Sequence, residues 1–216
     1  MFSTKLNHSL LVFVLAILLL FSCSEPTEPD SSIFELVPLD VGNEWEYAIT
    51  RYDTTGNILY EHNGTSKIFK DTVFNGIRWY CDIPYYICNW YTNKSDGYWI
   101  FYQTMNGQTL RDTAILLYKY PTYVGEIYGN PEYPSEVVSV DEEISVPAGN
   151  FKVIHITHDL TADNYSPMIS YETYICPGIG FIKSMQIGKR EDGTKYVIEK
   201  SELVRFQLKR YFGNLY

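Results

Sequence analysis

The chain has 216 residues, and its 26 acidic against 17 basic side chains give a formal charge of −9. That balance argues against nucleic acid as a partner and against electrostatic adhesion of the whole chain to an anionic membrane, since both need clustered Lys or Arg. With 45% apolar residues and only four cysteines, the chain can bury one substantial core without a disulfide framework.

Residues 10–21 (LLVFVLAILLLF) form an apolar run behind a leader whose only formal side-chain charge is Lys5. The run is too short to cross a bilayer comfortably and fits the h-region of a signal peptide. Leu20-Phe21-Ser22-Cys23 follows, and it resembles the lipobox of bacterial lipoproteins, in which a small residue precedes the cysteine. The resemblance implies that residues 1–22 are removed and that Cys23 carries fatty acyl chains such as palmitate, which hold the protein to a membrane. Ser24 lacks the aspartate that retains some lipoproteins at the inner membrane, so an outer-membrane location is expected. Ser24-Glu25 resembles a surface-export signal, and which side of that membrane the protein faces stays open. Residues 24–32 (SEPTEPDSS) are too acidic and proline-broken to pack. The expected organisation is therefore a signal peptide at 1–22, an acylated cysteine and tether at 23–35, and a single β domain at 36–216.

From Leu36 onward β-branched and aromatic residues dominate, and turn signals recur at roughly eight to twelve residue intervals, as in an antiparallel meander. Trp45, Tyr47 and Ile49 alternate with polar neighbours, so one strand face is buried and the other wet. Asp53-Thr54-Thr55-Gly56-Asn57 then turns the chain. Asn75-Gly76, set between DTVF and IRWYCDI, predicts a type I′ hairpin because both residues accept positive φ. Asp96-Gly97, Asn106-Gly107, Ala148-Gly149-Asn150, Pro177-Gly178 and Asp192-Gly193 mark further turns. These signals predict roughly eleven strands and essentially no helix beyond the signal peptide. Residues 118–134, with three prolines and two glycines, read as a loop between two β halves. The fold class is all-β: an antiparallel meander forming a curved sheet, half-barrel or barrel.

Four segments resemble a largely uncharacterised family of bacterial secreted and lipid-anchored β proteins. They are Val37-Pro38-Leu39-Asp40-Val41-Gly42-Asn43-Glu44-Trp45-Glu46-Tyr47, residues 71–80 (DTVFNGIRWY), Val146-Pro147-Ala148-Gly149-Asn150-Phe151-Lys152, and Tyr174-Ile175-Cys176-Pro177-Gly178-Ile179-Gly180. The resemblance implies a curved antiparallel sheet, by fold analogy akin to the half-barrel of outer-membrane lipoprotein carriers, and it brings no catalytic set.

Side chains able to do chemistry are sparse. His155, Thr157 and Asp159 share a strand face, and Cys176 lies nearby in the meander, so a Cys-His-Asp set is conceivable; His158 points to the other face. Asp141 and Glu143 also share a face, as paired carboxylates or as a solvated edge. No metal-ligand or phosphate-binding motif occurs, and no cofactor or metal is expected. An odd number of cysteines follows the lipidated one, and Cys81–Cys88 is the preferred bridge, against the alternative that these are small buried hydrophobes. The dense rings around Trp79, Tyr86, Trp90 and Trp99 form either a covered core or an exposed ligand platform. The expected function is a non-catalytic, lipid-anchored binding or scaffold domain whose partner is a hydrophobic ligand, a glycan or a protein. A surface glycan-binding component is the alternative, and a hydrolase is the remote one. Cys23→Ala should abolish acylation, so the variant should disappear from the lipid-labelled membrane fraction. Persistence of label there would overturn the lipobox reading.

Overall fold

A computed structural model describes residues 35–82, 89–102, 114–161 and 167–209. Among the described residues the protein is all-β and without helix, as the turn spacing and alternation predict. Its strands are β1 Glu44–Tyr52, β2 Ile58–Lys67, β3 Lys70–Phe74, β4 Ile77–Cys81, β5 Asn89–Lys94, β6 Gly97–Tyr102, β7 Ile115–Lys119, β8 Ile127–Asn130, β9 Tyr133–Val146, β10 Gly149–Asp159, β11 Met168–Cys176, β12 Gly180–Lys189 and β13 Lys195–Gln207. The count exceeds the eleven or so expected partly because the predicted loop at 118–134 contains β8, which pairs with β9 across Asn130↔Tyr133. Its glycines and prolines mark the crossing between sheets, but they leave room for a four-residue edge strand.

The strands form two antiparallel sheets, β2-β1-β13-β12-β11-β10-β9-β8 and β3-β4-β5-β6-β7. Each ladder joins strands consecutive in sequence, except that β1 pairs with β13 and so brings the two ends of the meander together. Breaks at β2/β3 and β7/β8 keep the circuit from closing as a barrel. At the first break, Ile68 N–H donates to the Asn43 carbonyl and Phe69 N–H to that of Cys81, which hands the chain from one sheet to the other. The large sheet is strongly curled: Ala148 N–H, in the β9–β10 turn, reaches the Leu203 carbonyl of β13 at 2.9 Å, three strands away. Bulges in the β9–β10, β11–β12 and β12–β13 ladders supply the bending.

The main core lies between the sheets. Trp45, Ile154, Ile156, Ile175 and Ile182 from the large sheet meet Tyr98 and Tyr118 from the small one. Leu36, Val37 and Leu39 insert ahead of β1 and are buried with them. Asn43, fully buried, locks this entry segment: its amide donates to the Pro38 carbonyl and accepts from Lys209 N–H. The Trp45 indole donates to the Ile179 carbonyl at 2.7 Å. Beside it Gly180 has φ +105, and a Cβ there would stand 3.4 Å from Val37 and 3.5 Å from the indole nitrogen. Two of the resembling segments thus meet in space across 134 residues of chain.

Asn75 and Gly76 adopt φ of 51° and 74°, the conformation expected of the β3–β4 turn. Open space surrounds a Cβ at Gly76, so backbone conformation alone governs substitution there. Gly76→Val should cost about 1–2 kcal/mol, whereas Gly76→Asn, which tolerates the left-handed region, should be nearly neutral. Paired urea melts test this, and equal losses in both variants would refute it.

Candidate functional site

Between the sheets lies a cavity of about 310 Å³. The large sheet contributes Tyr47, Tyr171, Phe181, Ser184 and Ser201, the small sheet Tyr91, Tyr98 and Tyr118, and Asp82 stands just past β4. The rings form a continuous wall. Tyr91 stacks on Tyr98 at 5.3 Å between centroids, and Phe181 meets Tyr98 and Tyr118 edge-on at 6.1 and 5.5 Å. Period-two alternation on facing strands produces this wall, because it aims one ring in two from β5, β6 and β7 at the opposite sheet.

Tyr47 and Tyr118 spend their hydroxyls on the Phe181 carbonyl and on Thr173 Oγ1. Burial raises the pKa of Tyr47, Tyr98 and Tyr118, so all three are neutral phenols at physiological pH. Burial also raises the Asp82 carboxyl, which Tyr91 opposes by hydrogen bonding. Asp82 Oδ1 is buried and receives no hydrogen bond from any described residue. An acceptor left in that condition is costly, and a ligand hydroxyl or amine would satisfy it. The wall therefore offers ring faces for stacking and one oxygen for a donor.

A second depression, of about 860 Å³, crosses the other face of the large sheet. Glu136, Thr157, Asp159 and Glu172 line it opposite Lys189 and Lys195. Next to it, His155 stacks on Tyr174 at 4.2 Å, with its Nδ1 3.0 Å from Glu142 and its Nε2 3.7 Å from Glu172. The His155 ring, followed by the Tyr174 hydroxyl, holds the Glu172 carboxyl below its ordinary pKa.

The conceivable Cys-His-Asp set is not assembled. His155 is engaged by the two glutamates, and Asp159 accepts from Thr161 N–H, four strand positions from His155 and thus roughly 13 Å along the strand. Burial raises the Cys176 thiol pKa, which favours the unreactive protonated form. As the alternation predicts, His158 lies on the opposite face. Its Nδ1 is 2.7 Å from Ser135 Oγ and its ring packs edge-on to Tyr118. Glu143 pairs with Lys152 and Asp141 contacts Ser139, so those carboxylates serve the exposed edge. Cys23, Tyr86 and Cys88, and with Cys88 the proposed bridge to Cys81, lie outside the described residues, as does the Asn106-Gly107 turn.

Of the aromatic platform, Trp79 and Trp90 are buried at 4% and 8% exposure, in a cluster with Cys81, Trp99 and Phe101. Trp99 is partly exposed, but Lys94 Nζ sits 3.9 Å over its ring. These indoles pack as a satellite core on the outer face of the small sheet, because rings side by side on a twisted sheet cover one another. The tyrosine wall was not singled out by sequence reasoning, because its residues come from strands as much as a hundred or more positions apart.

No protein-family model and no curated protein matches this sequence. Among solved structures, a candidate lipoprotein from Parabacteroides distasonis is similar with 10% identity and a TM-score of 0.44, over 81% of this chain and 99% of its own. A candidate exported protein with a YmcC-like fold from Bacteroides fragilis is similar with 12% identity and a TM-score of 0.45, over 80% of this chain and 98% of its own.

The buried His158 yields a test of the wall beside it. Burial lowers its pKa from 6.5 to about 4, so the unfolded chain takes up a proton before the folded one does. The stability that neutral His158 allows is complete above pH 6.5 and declines as pH falls toward 4, by at most ~3 kcal/mol. His158→Gln should flatten that part of the profile in urea denaturation between pH 7 and pH 4, and an unchanged slope would show that the ring is hydrated.

Proposed function

We propose that this protein is an envelope lipoprotein, anchored through Cys23, whose β domain binds a small saccharide in the tyrosine-walled cavity. It acts by binding, without catalysis. One observation carries the reading: Asp82 Oδ1 is buried and unpartnered at the edge of a wall of stacked phenols. Aromatic faces pack against the C–H face of a pyranose, while an orphan carboxylate oxygen takes a hydrogen bond from a ring hydroxyl. A volume of about 310 Å³ is at the lower bound of ordinary ligand sites and suits one or two sugar rings. Ser66, Ser184 and Ser201 add hydroxyls along the rim. Envelope location rests on the signal-like run and the lipobox resemblance, and the outer membrane is the expected surface because aspartate does not follow Cys23.

The reading shifts the glycan site from the outer tryptophans, whose rings are covered or capped by Lys94, to the space between the sheets. Native mass spectrometry of the protein with a panel of mono- and disaccharides, and separately with membrane phospholipids, tests it. A saccharide should be retained, and Ser184→Phe, which fills the cavity, should weaken binding by more than about tenfold, as should Asp82→Leu. Retention of phospholipid would replace the sugar with an acyl ligand, and no retained molecule would remove the cavity from consideration.

A further inference from the structure

Strand β11 serves both faces of the large sheet. Tyr171 lines the cavity between the sheets, while its neighbours Ser170 and Glu172 line the depression on the other face. Register extends that second surface from β9 to β13. Thr157 of β10 stands between Glu136 of β9 and Glu172 of β11, and Asp159 pairs with Ser170, which pairs in turn with Ile187 of β12. Lys189, two residues beyond Ile187, pairs with Lys195 of β13. A carboxylate end thus faces an ammonium end along one groove, with hydroxyls between them and Ile127 and Pro134 as an apolar lip.

The two ends do not neutralise each other. Glu136, Lys189 and Lys195 close no ion pair among the described residues. The Thr161 N–H holds the Asp159 carboxyl below its ordinary pKa and the His155 ring does the same for Glu172, and Lys195 adds its field to both without touching either. Four residues of strand and one step between strands separate Glu172 from Lys189, about 14 Å from backbone to backbone. An extended peptide of three residues spans about 10 Å, and the acid and lysine side chains reach over the remainder.

The floor of the groove lacks hydrogen bonds. Ser170 is only 7% exposed, and neither its hydroxyl nor that of Thr157 has a partner among the described residues. A buried hydroxyl in that condition is costly, and peptide N–H and C=O groups lying over it would satisfy it. At about 860 Å³ the groove is within the range of ligand sites. A neutral sugar would leave both charged ends unanswered, whereas a molecule with an ammonium at one end, a carboxylate at the other and amides between them matches every part.

We propose that this groove is a second binding site, separate from the cavity, and that its ligand is a short zwitterionic peptide of about three residues. The peptide's ammonium meets Glu136 and Glu172, its carboxylate meets Lys189 and Lys195, and its amides cross Thr157 and Ser170. Full affinity needs both termini free, because each answers one end of the groove. The site therefore selects peptide fragments over the interior of a protein chain.

Titration of the full chain, isotopically labelled and held in detergent, with trialanine tests this by NMR. The amides of Thr157, Ser170 and Glu172 should shift, and the affinity should fall about tenfold or more when either terminus is capped by acetylation or amidation. Glu136→Gln should erase most of the preference for a free N-terminus. Lys189→Met combined with Lys195→Met should erase most of the preference for a free C-terminus. All three positions are exposed, so these changes leave the core untouched. Equal affinity for free and doubly capped trialanine would overturn the proposal, as would variants that keep both preferences. Shifts confined to the cavity residues Tyr91 and Tyr98, or no shift at all, would overturn it as well.

Discussion

The structure depends on the first strand meeting the last. The meander of thirteen strands among the described residues offers edges at both ends, and unpaired edge groups are an invitation to aggregation. Here β1 lies against β13, and the Trp45 indole reaches past that ladder to the Ile179 carbonyl. The bond anchors the head of the meander to the β11–β12 turn and fixes where the entry segment packs. Val37 then packs against Gly180, whose φ of +105 would strain any other residue. Asn43 extends the same closure to Lys209. Removing any of these contacts would leave buried backbone groups unpaired, which costs more than the bonds themselves contribute.

Once the ends are joined, the two breaks at β2/β3 and β7/β8 acquire a purpose. The two sheets, hinged at these corners, stand apart and leave space between them. Aromatic rings hold that space open. Tyr91, Tyr98, Tyr118 and Phe181 support one another by stacked and edge-on contacts, so the wall is rigid without being filled. Burial keeps the phenols neutral and leaves the Asp82 carboxyl as the ionisable group on the wall with an unsatisfied oxygen.

The molecule is also divided between its two sheets. The large sheet carries most of the acids, often in cross-strand pairs such as Glu44 with Lys67 and Glu46 with Arg205. The small sheet carries Trp79, Trp90 and Trp99, and its strands hold Lys70, Arg78, Lys94 and Lys119 against Asp71. Surface ion pairs of this kind contribute little stability, and their arrangement matters through the field it creates.

Much of this was legible in the sequence. The all-β class, the Asn75-Gly76 turn and the opposed directions of His155 and His158 follow from local rules: turn residues tolerate positive φ, and side chains alternate along a strand. The strand β8 escaped because prolines and glycines nearby disguised a short edge strand. The outcome for Trp79 and Trp90 could not be read locally, since whether a ring on the outer face is open depends on what crosses it. The meeting of Trp45 with Ile179, the cavity and the orphaned oxygen of Asp82 likewise required the fold. Local sequence determines which way each side chain points along its own strand. Which side chains then face one another is decided by long-range closure of the meander, and that is a property of strand pairing, curl and bulges rather than of any single segment.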